Sequence, residues 1–369
     1  ATGVDAIAIG TQSVADGNST TTVGGESVAT GPGATAYGWQ SGANAERATA
    51  LGHLAQADGV RSTAVGEAAS AVGEQSVALG NESSATGVDA IAMGTQAVAN
   101  GNSTTTVGGE SVATGPGATA YGWQSAANAE RATALGHLAQ ADGVRSTAVG
   151  EAANAVGEQS VALGNESSAT GVDAIAMGTQ AVANGNSTTT VGGESVATGP
   201  GATAFGWQSG ANSERATALG HLAQADGIRS TAVGEAASAV GEQSVAVGNE
   251  SSATGIDAMA MGTQAIANGN STTTVGGESV ATGPGATAYG WRSAANAERS
   301  SALGHLAQAD GVRSTAVGEA ANAVGEQSVA IGNESSATGV DAMAIGTQAV
   351  ANGNSTTTVG GESVATGPG

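Results

Sequence analysis

The chain has no cysteine, which excludes a disulfide framework and a thiolate metal site. Lysine is absent too, and nine arginines stand against 31 acidic residues for a net charge of −22. A surface of that sign repels phosphate backbones and anionic lipid, so nucleic acid is not an expected partner. Aromatic residues fill 2% of the 369 positions, too few for a core of large side chains. No run reaches the roughly 18 apolar residues of a membrane-spanning helix, and no charged-then-apolar leader opens the chain. Direct membrane insertion by this segment is therefore not expected. Each of the four histidines is alone in its neighbourhood, no Ser, His and Asp stand at nucleophile spacing, and the acids are scattered. Neither catalysis nor a bound cofactor or metal is expected.

What is present is repetition. Gly3-Val4-Asp5-Ala6 returns at Gly87, Gly171, Gly255 and Gly339, a spacing of 84 residues each time. The superrepeats run 3–86, 87–170, 171–254 and 255–338, with a partial fifth at 339–369, and the sequence predicts one continuous β-solenoid over 1–369. The array starts before one repeat boundary and stops inside another, which predicts an excerpt of a longer protein anchored elsewhere.

A finer period lies within each superrepeat. Glycine recurs every seventh residue, with Ala45 as the exception, in the pattern Gly-x-x-(Ala/Ser)-x-Ala-x. Glycine and serine at fixed heptad positions argue against a coiled coil, and the apolar positions alternate with period two, as in a strand. In Ser76-Val77-Ala78-Leu79-Gly80, alternation puts Ser76, Ala78 and Gly80 on one face and Val77 and Leu79 on the other, and Asn81-Glu82 turns the chain. The small face must point inward, because only small residues let two such strands lie back to back. Five residues of strand and two of turn make a heptad, and two heptads close a coil of 14 residues.

The last heptad position alternates between apolar residues (Ile9, Val23, Tyr37, Leu51, Val65, Leu79) and partners that are polar except at Val72. One outer face is thus an apolar stripe and the other is wet. A buried Ile, Leu or Val contributes about 1.5 to 3 kcal/mol, far more than the small inner residues, and the stripe is too long for a soluble monomer. It reads as an oligomer interface formed by Ile7, Ile9, Val23, Thr35, Tyr37, Thr49, Leu51, Val65, Val77, Leu79, Ile91 and Met93.

At Ser328-Val329-Ala330-Ile331-Gly332-Asn333-Glu334-Ser335 the sequence resembles the YadA-like head repeat of trimeric autotransporter adhesins, and the resemblance extends over essentially all 369 residues. It implies an all-β, left-handed parallel β-roll, a side-by-side homotrimer along the apolar stripe, and display on the bacterial cell surface by an anchor outside this segment. It also implies an adhesin head, a rigid multivalent rod binding extracellular matrix, host cells or abiotic surfaces. The regularity of the superrepeat admits an alternative, a structural filament or spacer.

Several residues stand out as candidate contacts. Trp39 recurs as Trp123, Trp207 and Trp291, on turns where aromatics either hold ligands or plug the edge of an interface. Tyr37 becomes Phe205 in the third copy, so its hydroxyl is dispensable within the chain. Arg47 and Arg61 occupy equivalent turns of successive coils, about 5 Å apart, where they form a charge ladder with Glu46, Glu67 and Glu74 or a stripe for an acidic partner. His53 reads as a solvated turn residue on the wet half of the coil. Ala45 and its counterparts predict an irregular corner over Asn44 to Arg47. Thr21, Thr35, Thr49 and Thr63 form a column that raises ice binding as a minor alternative, but it breaks at Val77 and Ile91.

Overall fold

A computed structural model describes residues 1–369. The chain folds as two compact units, Ala1–Asn184 and Gly185–Gly369, each a parallel β-solenoid of thirteen coils. Every coil holds one three-residue strand, such as Ile7–Ile9, and one two-residue strand, such as Val14–Ala15. Each strand pairs in parallel with its counterpart fourteen residues on: Ile7 with Thr21 and Ile9 with Val23 on one side, Val14 with Val28 on the other. The coil length matches the sequence expectation, while the strands are shorter than five residues. The reason is local: residues such as Gly80 adopt a φ of 136°, which ends the extended strand where alternation alone would continue it.

The walls are glued by the backbone and filled by small side chains. Main-chain bonds run from coil to coil in the strands, as from Ile7 N to Thr20 O at 2.9 Å, and also in the turns, as from Glu26 N to Thr11 O at 2.7 Å. Inside, Ala71, Ala78 and Ala85 are wholly buried, as are their counterparts away from the first and last coils. The small face does point inward. Its largest members are threonines, because Thr20 and Thr22 stand inside with their hydroxyls donating to Gly17 O at 2.7 Å and Ile7 O at 3.3 Å. Most buried serines are held likewise, Ser27 to Gly24 O at 3.0 Å. Ser62 and Ser76 are exceptions whose hydroxyls find no acceptor.

The turns set the width of the roll. The third residue of each turn is left-handed, from Asp5 at φ 56° through Leu54 at 60° and Ala68 at 52°. Such a conformation costs a non-glycine residue about 1 to 2 kcal/mol, and it persists because the turn amide is tied to the coil before. Glycine is obligatory at Gly66, where φ is 134° and a Cβ would lie 2.4 Å from Gly80 O. The other turn of the coil begins without positive φ, and Ala45 stands there, although a Cβ at Gly31 or Gly59 in the adjoining coils would lie 1.9 Å from a carbonyl oxygen. Contrary to expectation the corner over Asn44 to Arg47 is regular: Arg47 has the usual φ of 56°, and Ala48 N bonds Ala45 O at 3.2 Å as in the neighbouring turns.

Candidate functional surfaces

The solenoid offers two outer faces and two corners. On the long-strand face the outward residues form two ranks. Val23, Thr35, Thr49, Leu51, Val65, Val77, Leu79 and Ile91 are half-buried by their neighbours, while Tyr37 is 56% and Met93 39% exposed. Ile7 and Ile9, on the first coil, are exposed as well. The twelve residues expected to form the stripe thus share one face, and a single chain leaves it open. The short-strand face carries polar ladders: Asn44 Nδ2 donates to Asp58 Oδ1 at 2.7 Å, Thr86 Oγ1 to Asn100 Oδ1 at 2.9 Å, and Thr2 bonds Asp16.

Trp39 lies on the corner that follows the long strand Thr35–Tyr37. One coil back stands Gly25, and a Cβ there would meet the indole at 2.7 Å, so the glycine is the seat of the ring. Beside it Gln40 Nε2 donates to Glu26 Oε2 at 2.7 Å. One coil on, His53 Nδ1 lies 3.6 Å from Glu67 Oε1, and Asn81 Nδ2 donates to Glu67 Oε2 at 3.3 Å. Trp123 and Trp207 repeat the arrangement over Gly109 and Gly193, with Gln124 on Glu110 and Gln208 on Glu194. The indoles stay about half exposed.

The fourth copy departs from this plan. Arg292 replaces the glutamine, its Nε 2.6 Å from Glu278 Oε2 and its guanidinium carbon 5.7 Å from the Trp291 ring. Trp291 meets His305 edge-on at 6.2 Å. A Cβ at Gly277 would no longer touch the ring.

Arg47 and Arg61 lie on the opposite corner, after the short strands Gly42–Ala43 and Gln56–Ala57. They are exposed, as are Glu46 and Glu74 beside them, and the Arg47 stem lies over Gly33, whose Cβ would be 3.5 Å from Arg47 Cγ. The expected ladder does not include Glu67, which belongs to the tryptophan corner and pairs with His53. An Arg–Glu contact forms on this corner at Arg299 Nε and Glu298 Oε1, 4.0 Å apart. The tryptophans and arginines grouped as candidate contacts therefore occupy separate corners. His53 sits on the corner fed by the apolar strand, 49% exposed at its side chain, and not on the wet half of the coil.

No cavity indents either unit. Parity of the heptad number carries the corner assignment, since residues one heptad apart face opposite corners and residues two heptads apart stack.

The model of the YadA head domain repeat matches the chain every 28 residues, from 1–27, 29–55 and 57–83 through to 337–363, with further matches between them. No curated protein sequence matches. A crystal structure of the collagen-binding domain of the Yersinia adhesin YadA is similar at 31% identity, covering 33% of this chain and 68% of that one, with a TM-score of 0.32. The spacing of the family matches, 28 residues, is two coils of the solenoid just described. On that ground the chain belongs to the YadA head repeat family, a family of adhesin-type heads exposed on bacterial surfaces.

Proposed function

We propose that this segment is displayed on a bacterial surface as three copies packed side by side along the long-strand face, and attaches to extracellular matrix, host cells or abiotic surfaces through contacts that recur every six coils. The observation that carries the reading is the tryptophan corner, repeated with the same seat and the same neighbours at Trp39, Trp123 and Trp207. Within the first unit, six coils at about 4.8 Å each space Trp39 from Trp123 by about 29 Å. Without a pocket, each contact is weak, and a stiff array converts weak contacts into retention through effective concentration. Arg47 and Arg61 and their copies form a second array on the other corner, suited to acidic groups.

A spacer function is the competing reading, favoured by the glycine seat, which accounts for the indole as packing alone. Retention on collagen, fibronectin and bare polystyrene, measured for variants carrying one, two and four superrepeats, separates the two. An adhesive array predicts retention that rises steeply with copy number. It also predicts a loss of at least tenfold when Trp39, Trp123, Trp207 and Trp291 become Ala, or when the arginines of the other corner do. Retention independent of both copy number and these residues assigns the segment to spacing.

A further inference from the structure

The outward residues of the long strands carry a pattern that neither the fold nor adhesion requires. The first outward position reads Thr21, Thr35, Thr49, Thr63, then Val77 and Ile91, then Thr105, Thr119, Thr133 and Thr147, then Val161. Four threonine coils thus alternate with a block of two aliphatic coils. The second rank repeats with the same period, its bulkiest members being Tyr37 and Tyr121. The second unit follows suit, with Thr217, Thr231, Val245, Met259 and Thr273 in succession. The inner column of the short strands lacks any such contrast, staying alanine in every coil as at Ala71, and the inner columns of the long strands vary only among small residues, with Thr20 and Thr22 as their largest members.

We propose that this six-coil pattern is a register code by which copies of this chain stand level with one another. The inference rests on the side-by-side assembly proposed above and concerns what such an assembly must solve. A featureless ladder of 14-residue coils can slide along its neighbour one coil at a time with no change in backbone fit, because a register is weakly specified wherever the facing surfaces are uniform. Here a slip of one to five coils brings threonine hydroxyls against Val77 or Ile91, and a hydroxyl covered without a partner is costly. Level copies bring threonine coils to threonine coils, where hydroxyls can bond one another, and aliphatic block to aliphatic block. A closed ring adds a geometric condition, since equivalent contacts between all neighbours require zero offset. The partner is specified by the same reasoning, because a surface that repeats every six coils is matched along its length only by another copy of this chain. Slips by whole multiples of six coils escape the code, the smallest of them, six coils, restoring every match and losing least to overhang.

The absence of cysteine allows a clean test on the full chain. A nitroxide attached through Glu74→Cys, on the exposed corner after the short strand, reports inter-chain distances by pulsed electron resonance. The code predicts level copies, accompanied at most by populations displaced along the axis by whole multiples of about 29 Å, the rise of six coils. A second protein with Thr35→Val and Thr49→Ile, and the same exchange in each later superrepeat, places aliphatic blocks every three coils. It should populate an added displacement of about 14 Å. All the altered residues face outward, so folding is preserved, and circular dichroism checks it. Offsets of one to five coils in the unaltered chain, or an unchanged distribution in the second protein, would overturn the code. Sedimentation on the same samples identifies the other failure: a monomer mass removes the assembly on which the code rests, whereas a trimer with random offsets removes the code alone.

Discussion

The two outer faces of each solenoid unit share one backbone plan and one set of inner walls, yet differ in how much of what they turn outward is apolar. Behind both lie columns of buried alanine. In front, the long-strand face shows Val77, Leu79 and Ile91, while the short-strand face mixes Ser70, Ser84 and the Asn44–Asp58 ladder with valines such as Val98 and Val112. The superrepeats drift in the same unequal way. Outward, Met259 stands where Ile7, Ile91 and Ile175 stand elsewhere, and Arg292 where Gln40 does. Inward, a change such as Ser300 for Ala48 keeps the side chain small and bonds its hydroxyl to Ala297 O at 2.8 Å. Folding instructions lie on the inner side, the association proposed above would draw on the outer side, and period-two alternation lets a single short strand carry both.

The sharpest way to break this comparison is to place the same charge on each face. Leu79→Asp with Leu163→Asp, Val247→Asp and Ile331→Asp buries four carboxylates per chain in the proposed seam, at a cost of several kcal/mol each, and should yield monomers in sedimentation. Ser84→Asp with Ser168→Asp, Ser252→Asp and Ser336→Asp should leave the assembled mass unchanged. Equal behaviour of the two sets would mean that the faces are not distinguished by association. One level inward, Ala78→Leu forces a large side chain into a wall with no space for it and should destabilise by about 3 kcal/mol, read as a lowered midpoint in denaturant. The same exchange at outward-facing Val77 should be nearly neutral in a single chain.

The smallest effect has the opposite sign. Ser62 and Ser76 bury hydroxyls without acceptors in a column that is alanine at Ala48 and Ala90. Ser62→Ala together with Ser76→Ala should stabilise by about 1 kcal/mol, since an unsatisfied buried hydroxyl carries a desolvation cost of that order. A fall in thermal midpoint would show that these hydroxyls are bonded in solution.

Much of the architecture was legible because it follows from two short periods. Heptad glycines and period-two alternation were enough to predict the 14-residue coil, the inward small face and the shared face of Ile7 through Met93. Heptad position already puts Thr20 and Thr22 on the inward face, but how their hydroxyls are satisfied there, at Gly17 O and Ile7 O, was not legible in the sequence. The corner of Ala45 was expected to be irregular, but only one of the coil's two turns needs positive φ at its first residue. Arg61 and Glu67 look like neighbours along the chain, yet stand on opposite corners because six residues is nearly one heptad, half a coil. The glycine seat of Trp39 carried no signal of its own in a chain with 61 glycines.

The coil-to-coil register of fourteen has a consequence for how the gene can change. A deletion of seven codons would swap the two corners and both faces. One of fourteen would restore the backbone and inner walls but break the sequence of threonine and aliphatic coils. Only a step of 84, six whole coils, returns every wall, corner and outer rank to phase. Recombination between near-identical superrepeats makes that step naturally, so a lineage can lengthen or shorten its reach in increments of about 29 Å without passing through a misfolded intermediate.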